Sequence, residues 1–157
     1  MNHTPDSPSS ILGILPHRFP FLFVDRVTEF IPGQRIAATK RFSADDEAAR
    51  GSLLPPPIIP IGILLELVTQ VGAVLVMERP EMAGKVAMIL QIPSAHVQRP
   101  VQIGDTVRVE AEVVKIGPRS GELHGAIWHE GERLAEGTMR FAIVEQAQIL
   151  GEKSGVG

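Results

Sequence analysis

One carboxylate, Glu66, lies inside an otherwise apolar run of this sequence and is the first candidate for chemistry. The run extends from Ile61 to Met77, and its other strongly polar members are Thr69 and Gln70. Burial of a lone ionised carboxylate costs free energy unless the group is paired or has a chemical use. We therefore consider two roles for Glu66: an acid in a substrate site, or a carboxylate paired across a subunit interface.

Other chemistry-bearing residues form no recognisable metal, nucleotide or nucleophile motif. Ser52 would need a base to act as a nucleophile, and none lies near it in the sequence. We expect Ser52 to be a polar loop residue that holds a water or a substrate oxygen. His96, His124 and His129 fall on predicted strands and are too dispersed for a metal site. The glycines form neither a phosphate-binding loop nor a dinucleotide fingerprint, so we expect no metal and no cofactor.

The composition excludes several classes of function. Of the 157 residues, 15 are Lys or Arg and 18 are Asp or Glu, so the formal net charge is −3. This balance, with no block of basic residues, gives no electrostatic footprint for nucleic acid or for a membrane surface. Cysteine is absent, which excludes disulfides, iron–sulfur clusters and thiolate catalysis. The first residues lack a basic segment followed by an apolar core, and we expect a cytoplasmic location.

The apolar run is a poor candidate for a membrane span. As a helix, Ile61 to Met77 is roughly 25 Å long at about 1.5 Å per residue, and a bilayer core is about 30 Å thick. Glu66 near the middle would add a cost of about 2.5–3.5 kcal/mol on insertion scales. We expect a soluble core helix and no membrane association.

The order of hydrophobic patterns predicts two strands, one long helix and four further strands. Phe21–Phe30 and Arg35–Ser43 have strand-type composition. Ile61–Met77 is the predicted helix, because Pro60 suits its first turn and Pro80 ends it. Four predicted strands follow: Val86–Val97, Thr106–Ile116, Glu122–His129 and Leu134–Val144.

This order predicts an α+β protein with a mainly antiparallel sheet, because strands and helices do not alternate. A helix that is apolar on all sides needs cover on all sides. We expect one strongly curved sheet to wrap around it, with a second subunit covering the remainder. Residues 11–145 would form a single domain, and residues 1–10 and 146–157 would be flexible tails.

Two motifs resemble a known family. Ile14 to Val27 reads ILPHRFPFLFVDRV and closely resembles the opening of the hot-dog-fold 3-hydroxyacyl-[acyl-carrier-protein] dehydratases. Arg99 to Asp105 reads RPVQIGD and is similar to a later element of the same family. The resemblance covers roughly Ile11 to Val144. It implies the hot-dog fold, a curved sheet wrapped around one long central helix, and assembly as a homodimer or as a hexamer made of three dimers.

The resemblance also implies a reaction. In this family a loop histidine of one subunit removes the proton beside the carbonyl of a 3-hydroxyacyl thioester. A helix glutamate of the partner protonates the departing hydroxyl, and a backbone N–H near the helix start stabilises the enolate-like oxygen. Glu66 and Gln70 match the helix positions, and Gly51 matches the glycine of the loop. Ser52 stands where the family has its histidine.

The departures from the family pattern bear on catalysis. A serine hydroxyl titrates far above neutral pH, so Ser52 cannot replace an imidazole that titrates near ~6.5. Ile61 and Gly62 stand where the family has glycine and valine. Together with Gly51 and Gln70 they are the substrate-binding positions that the resemblance implies. His17, within the opening motif, is either a structural residue of that segment or a substitute base.

We therefore predict a dehydratase-family protein of fatty-acid or polyketide metabolism with a degenerate active site. Glu66 would be the acid, and His17, or a histidine from a partner subunit, would be the base. The substrate would be carried by acyl carrier protein or by coenzyme A. Two alternatives stay open: an acyl thioesterase that uses Glu66, and a non-catalytic subunit that binds acyl carriers or pairs with an active homologue.

Overall fold

A computed structural model describes residues 8–46 and 57–151, in which a six-stranded sheet packs against one long helix. In chain order the elements are α1 (Pro8–Ile14), β1 (Arg26–Ile31), β2 (Arg35–Arg41), α2 (Ile61–Met77), a 3₁₀ turn (Pro80–Met82), β3 (Lys85–Val97), β4 (Thr106–Ile116), β5 (Ser120–His129), β6 (Glu132–Glu145) and α3 (Gln146–Leu150). The predicted order of two strands, one long helix and four strands is confirmed.

The strands pair in the order β1-β2-β4-β5-β6-β3, and every neighbouring pair is antiparallel. Strands β4, β5 and β6 form consecutive hairpins, whereas β3 crosses over to pair with β6. The sheet is not closed, so β1 and β3 are its two edge strands. The α+β class and the mainly antiparallel sheet are as predicted.

The inner face of the sheet and the long helix share one apolar core. Val107 and Val109 of β4 and Met139 and Phe141 of β6 are buried, as alternate residues on one face of a strand are when that face packs on a core. They pack in one cluster with the helix residue Leu67. Burial of such a side chain stabilises the fold by about 1.5–3 kcal/mol each, which holds α2 against the sheet.

Helix α2 has the predicted bounds, Ile61–Met77, and follows Pro60. The Pro60 carbonyl accepts hydrogen bonds from the N–H groups of Ile63 and Leu64 at 3.0 and 3.3 Å, and proline itself has no N–H to satisfy. In the described ranges, 8–46 and 57–151, no helix is long and apolar enough to cross a membrane.

Two paired glycines allow α2 to lie unusually close to the sheet. Gly125 of β5 is opposite Gly137 of β6. A Cβ on Gly125 would lie 2.1 Å from Cγ1 of Val68, and a Cβ on Gly137 would lie 2.9 Å from Cδ2 of Leu65. No other residue type leaves this space free, so the glycine pair fixes the depth at which the Glu66 turn of the helix sits.

The first strand is shorter than predicted, because β1 begins at Arg26 and not at Phe21. The backbone groups of Phe21 and Phe23 do not join the sheet ladder, since they hydrogen-bond to the side chain of Gln70. Phe23 is buried, whereas Phe21 is 48% exposed. Sequence periodicity does not distinguish this backbone anchoring on α2 from strand pairing.

The ranges predicted as flexible tails each contain helical residues. Helix α1 begins at Pro8, and α3 begins at Gln146, whose N–H donates to the carbonyl of Gly84 at 2.9 Å. The end of β6 thus continues into a helical turn that is anchored on Gly84, the residue before β3.

Candidate active site

Glu66 lies in the second turn of α2, on a side of the helix that its own sheet does not cover. Gly62, one turn earlier on the same side, is exposed, and the Glu66 side chain is 25% exposed. The carboxylate is therefore only partly buried. The neighbouring Leu67 and Val68 face the core, so the helix presents Glu66 at the boundary between core and surface.

Gln70, one turn beyond Glu66, is fully buried and its amide makes three hydrogen bonds. Its Oε1 accepts from the N–H of Phe23 at 2.9 Å. Its Nε2 donates to the Phe21 carbonyl at 2.7 Å and to Oε1 of Glu66 at 2.9 Å. Because the Phe23 N–H can only be paired with the amide oxygen, the amide nitrogen must face Glu66. Gln70 thus orients the carboxylate and joins it to the segment that precedes β1.

The same segment brings His17 to the carboxylate. Nε2 of His17 lies 3.4 Å from Oε1 of Glu66, and the imidazole is 28% exposed. The imidazole stacks on Phe21, with ring centroids 6.1 Å apart. Nδ1 of His17 is buried and has no hydrogen-bond partner among the described residues. A partly exposed imidazole beside a carboxylate is an arrangement that can exchange protons with a substrate.

Arg18 holds the backbone around His17. Its guanidinium donates to the carbonyls of Leu15 and His17 at 2.8 and 2.7 Å, and to that of Leu12 at 3.0 Å. These are free carbonyls at and beyond the end of α1, where a cation is favourable. Arg18 thereby fixes the turn that directs the imidazole toward α2.

The structure brings together three of the seven residues predicted for the site: Glu66, His17 and Gln70. Ile61 and Gly62 lie in the first turn of α2 and are exposed. The other two, Gly51 and Ser52, lie outside the described residues, and their roles stay predictions.

Sequence reasoning missed the part that the backbone of Phe21 and Phe23 plays in the site. The available signal was Gln70, because a buried amide on an apolar helix needs partners for its oxygen and its nitrogen. Residues 8–46 and 57–151 contain no cluster of three or more His, Asp or Glu side chains that could hold a metal. What the geometry offers is an imidazole beside a carboxylate, His17 and Glu66.

A curated relative decides the family. The 3-hydroxyacyl-[acyl-carrier-protein] dehydratase FabZ of Symbiobacterium thermophilum is 41% identical over 134 residues, which are 85% of this chain and 94% of the relative. This chain belongs to the FabZ family. The FabZ of Moorella thermoacetica is 36% identical over 140 residues, covering 89% of this chain and 98% of that protein. The family membership predicted from the two motifs is confirmed.

Comparisons at lower identity show the fold. The Thioesterase superfamily matches residues 62–136 of this FabZ-family chain. The structure of the dehydratase heterocomplex ApeI:P from Xenorhabdus doucetiae has a TM-score of 0.75 at 14% identity, over 92% of this chain and 97% of that one. A hot-dog-like protein from Thermanaerovibrio acidaminovorans has a TM-score of 0.63 at 21% identity, over 82% and 96% of the two chains. The predicted hot-dog fold is confirmed.

Proposed function

We propose that this FabZ-family protein binds 3-hydroxyacyl thioesters and removes water from them with Glu66 as acid and His17 as base. The observation that carries the proposal is the 3.4 Å separation of His17 Nε2 and Glu66 Oε1 at the partly exposed side of α2. The substitution at position 52 removes the base that the family uses. His17 is the imidazole that lies next to the acid in the same chain.

The geometry suits the elimination because the two groups that leave are on adjacent carbons. The base takes the proton from the carbon beside the thioester carbonyl, and the acid gives a proton to the hydroxyl on the next carbon, which departs as water. Acid and base must therefore lie side by side. After the reaction His17 carries the extra proton and Glu66 lacks one, and the short separation lets the proton return across one hydrogen bond.

The first turn of α2 supports binding of the thioester carbonyl. Ile61 and Gly62 are exposed, and the first N–H groups of a helix have no acceptor within the helix. An oxygen that becomes negative in the transition state is stabilised by such donors. Among the residues that the structure describes, none lies within 4 Å of a Cβ built on Gly62, which supports a backbone that is open to a ligand.

The carrier we propose is acyl carrier protein, with coenzyme A as the alternative carrier of the same thioester. The support is the name of the curated relatives, 3-hydroxyacyl-[acyl-carrier-protein] dehydratase. We propose that Ser52 holds a water or a substrate oxygen and that Gly51 lines the same site, as the family resemblance implies. The site then retains Glu66 and Gln70 at the family's helix positions, and Ser52 replaces the family's histidine.

The edge strand β3 supports a homodimer as the functional unit. Five of its large apolar side chains are exposed: Met88, Ile89, Leu90, Ile92 and Val97. An edge strand with an apolar surface is a template for pairing with another strand. Pairing of β3 with β3 of a second copy would extend the sheet and cover these residues, and three such dimers would form the hexamer.

One set of assays tests the proposed function. Purified natural protein, Glu66→Gln, His17→Ala and Ser52→His are compared in the hydration of a short 2-enoyl thioester, the reverse of dehydration. We expect the natural protein to be active, Glu66→Gln to be inactive, and His17→Ala to lose about 10²–10⁴-fold. Strong activity that survives His17→Ala would contradict the assignment of the base. A large gain in Ser52→His would show that position 52 still faces the substrate.

A second candidate function is hydrolysis of acyl thioesters, with Glu66 activating water. The observation that favours it is the match of residues 62–136 to the Thioesterase superfamily, because this range includes the helix that bears Glu66. Hydrolysis of a saturated acyl-CoA that disappears in Glu66→Gln, without hydration activity, would select this function. Binding of acyl carriers without either reaction would instead select a non-catalytic subunit.

A further inference from the structure

Lys40 is the most thoroughly buried charged side chain in the described part of the protein. Its side chain is 7% exposed, and it lies on β2 close to the point where the strand ends at Arg41. A buried lysine is rare unless it is paired, because removing the ammonium from water is costly. The mechanism proposed above does not use Lys40, so its burial needs a separate explanation.

The ammonium of Lys40 joins two carboxylates from different parts of the chain. Nζ lies 3.1 Å from Oδ1 of Asp46 and 3.5 Å from Oδ1 of Asp25. It also lies 5.6 Å from the centre of the Phe42 ring, where a cation is attracted to the π face. The ammonium is thus surrounded by partners on three sides.

Each carboxylate uses its second oxygen to hold the backbone. Oδ2 of Asp25 accepts from the N–H of Arg41 at 2.7 Å, and Oδ2 of Asp46 accepts from the N–H of Ser43 at 2.7 Å. The two aspartates therefore bridge the ammonium to the end of β2. Without the ammonium, two negative charges would face each other across a small, partly buried space.

Asp25 belongs to the segment that leads to the site. It lies two residues after Phe23, whose N–H is bound by Gln70 beside Glu66, and the same segment begins with His17. Lys40 binds Asp25 and does not itself touch His17 or Glu66 in the described part of the chain.

We propose that Lys40 is a positioning residue of the active site, which fixes the segment from His17 to Asp25 relative to the end of β2. The proposal rests on the proposed function for its catalytic consequence. Its structural part is independent of that function, because the tether acts on the backbone from Phe21 to Asp25. A positioning error of about 1 Å costs on the order of 10²-fold in rate when acid and base must be aligned.

The experiment compares Lys40→Met, which keeps the length of the side chain and removes the charge, with Lys40→Arg, which keeps the charge. Lys115→Met, at an exposed lysine of β4, is the control. Amide hydrogen exchange is measured across the whole protein, and kcat and KM are measured for hydration of a 2-enoyl thioester. All measurements are made below the unfolding temperature of each variant.

In Lys40→Met we expect the amides of Phe23 and Asp25 to exchange about tenfold faster or more, while the amides of β4 change little, because the opening is local. In the same variant we expect kcat to fall about tenfold or more, with KM within about twofold of that of the natural protein. Lys40→Arg should restore most of the slow amide exchange and most of kcat. The proposal is overturned if exchange at Phe23 and Asp25 is unchanged, or if all amides accelerate equally. If the natural protein shows no turnover, the proposed function fails, and the exchange data still decide the role of Lys40.

Discussion

Nε2 of His17 lies 3.4 Å from Oε1 of Glu66, so an imidazole from the segment before β1 meets a carboxylate from the central helix of the same chain. The family resemblance implies a loop histidine from a partner subunit, at the position where this sequence has Ser52. The contact between His17 and Glu66 needs no partner. If these two residues are the acid and the base, as proposed, their origin in one chain has consequences that can be measured.

If His17 and Glu66 act as a unit, the losses of activity caused by replacing each residue will not be additive. We expect His17→Ala and Glu66→Gln to reduce kcat for hydration by about 10²–10⁴-fold, and the double variant to be no worse than the weaker of the two single variants. The matched control is another histidine–carboxylate pair, His124 and Glu136, 3.7 Å apart on β5 and β6. His124→Ala should change kcat by less than about twofold. Additive losses in the double variant would count against a coupled pair.

Replacing Gln70 should cost stability as well as activity. Gln70→Met keeps the size of the side chain but leaves the N–H of Phe23 and the carbonyl of Phe21 without their partner, and each buried unpaired group costs about 1–3 kcal/mol. We expect the midpoint of urea unfolding to fall accordingly. Gln98→Met, at an exposed glutamine, should stay within about 0.5 kcal/mol of the natural protein. Equal effects of the two substitutions would refute the role of the Gln70 amide.

The close packing of α2 on β5 makes Gly125 sensitive to a single methyl group. In Gly125→Ala the new Cβ would lie 2.1 Å from Val68 Cγ1 and 3.0 Å from the Glu110 carbonyl oxygen, so we expect a loss of about 1–3 kcal/mol from overpacking. Gly62→Ala, where no residue of the described ranges lies within 4 Å of the new Cβ, should be neutral or more stable by about 0.5–1 kcal/mol. Thermal unfolding of both variants tests the pair, and similar melting temperatures would contradict the prediction.

The exposed apolar edge strand predicts where the homodimer forms. Leu90 is 68% exposed on β3, and Leu90→Lys would place a charge in the proposed interface, where it would have to be desolvated. We expect light scattering to show a shift from dimer or hexamer toward monomer. Val114→Lys, at a residue of β4 that is 54% exposed, is the control and should leave the assembly intact. An unchanged assembly in Leu90→Lys would place the interface elsewhere.

A cluster of charges on β1, β2 and β4 gives a pH dependence of stability. A hydrogen bond from Arg108, at 3.0 Å, and the charge of Arg35 hold the pKa of Glu29 below its ordinary value of 4.5. A lowered folded-state pKa means that the stabilisation is present above about pH 4.5 and is lost as the pH falls through the folded-state pKa. The stability difference between the natural protein and Glu29→Gln should therefore shrink between about pH 5 and pH 3. Glu112→Gln is the comparison variant. A stability difference between the natural protein and Glu29→Gln that grows as the pH falls would contradict the prediction.

Much of the fold follows from local patterns in the sequence. The range of α2 follows from a continuous apolar run between two prolines, and the faces of β4 and β6 follow from alternation that one buried side requires. The segment from Phe21 to Asp25 is where the prediction of a strand fails. Its composition is that of a strand, but its backbone is bound by a side chain from a distant helix, and no local pattern records that contact.

The candidate site was predictable only in part. Glu66 and Gln70 stand out because polar groups in an apolar run require partners. Their distance to His17 depends on how the segment before β1 crosses α2, and Arg18 determines that path by binding three carbonyls at the end of α1. The sequence leaves two roles open for His17, a structural residue or a substitute base. Only the tertiary arrangement brings it beside Glu66.

The union of His17 and Glu66 in one chain also determines how damaged copies behave together. Where acid and base come from different subunits, a copy that lacks the acid and a copy that lacks the base can combine to form one intact site. Here one polypeptide supplies both residues of a site, so a copy that lacks either residue has no intact site. Co-expressed His17→Ala and Glu66→Gln copies would therefore assemble without restoring each other, so in genetic terms the two defects belong to a single complementation group.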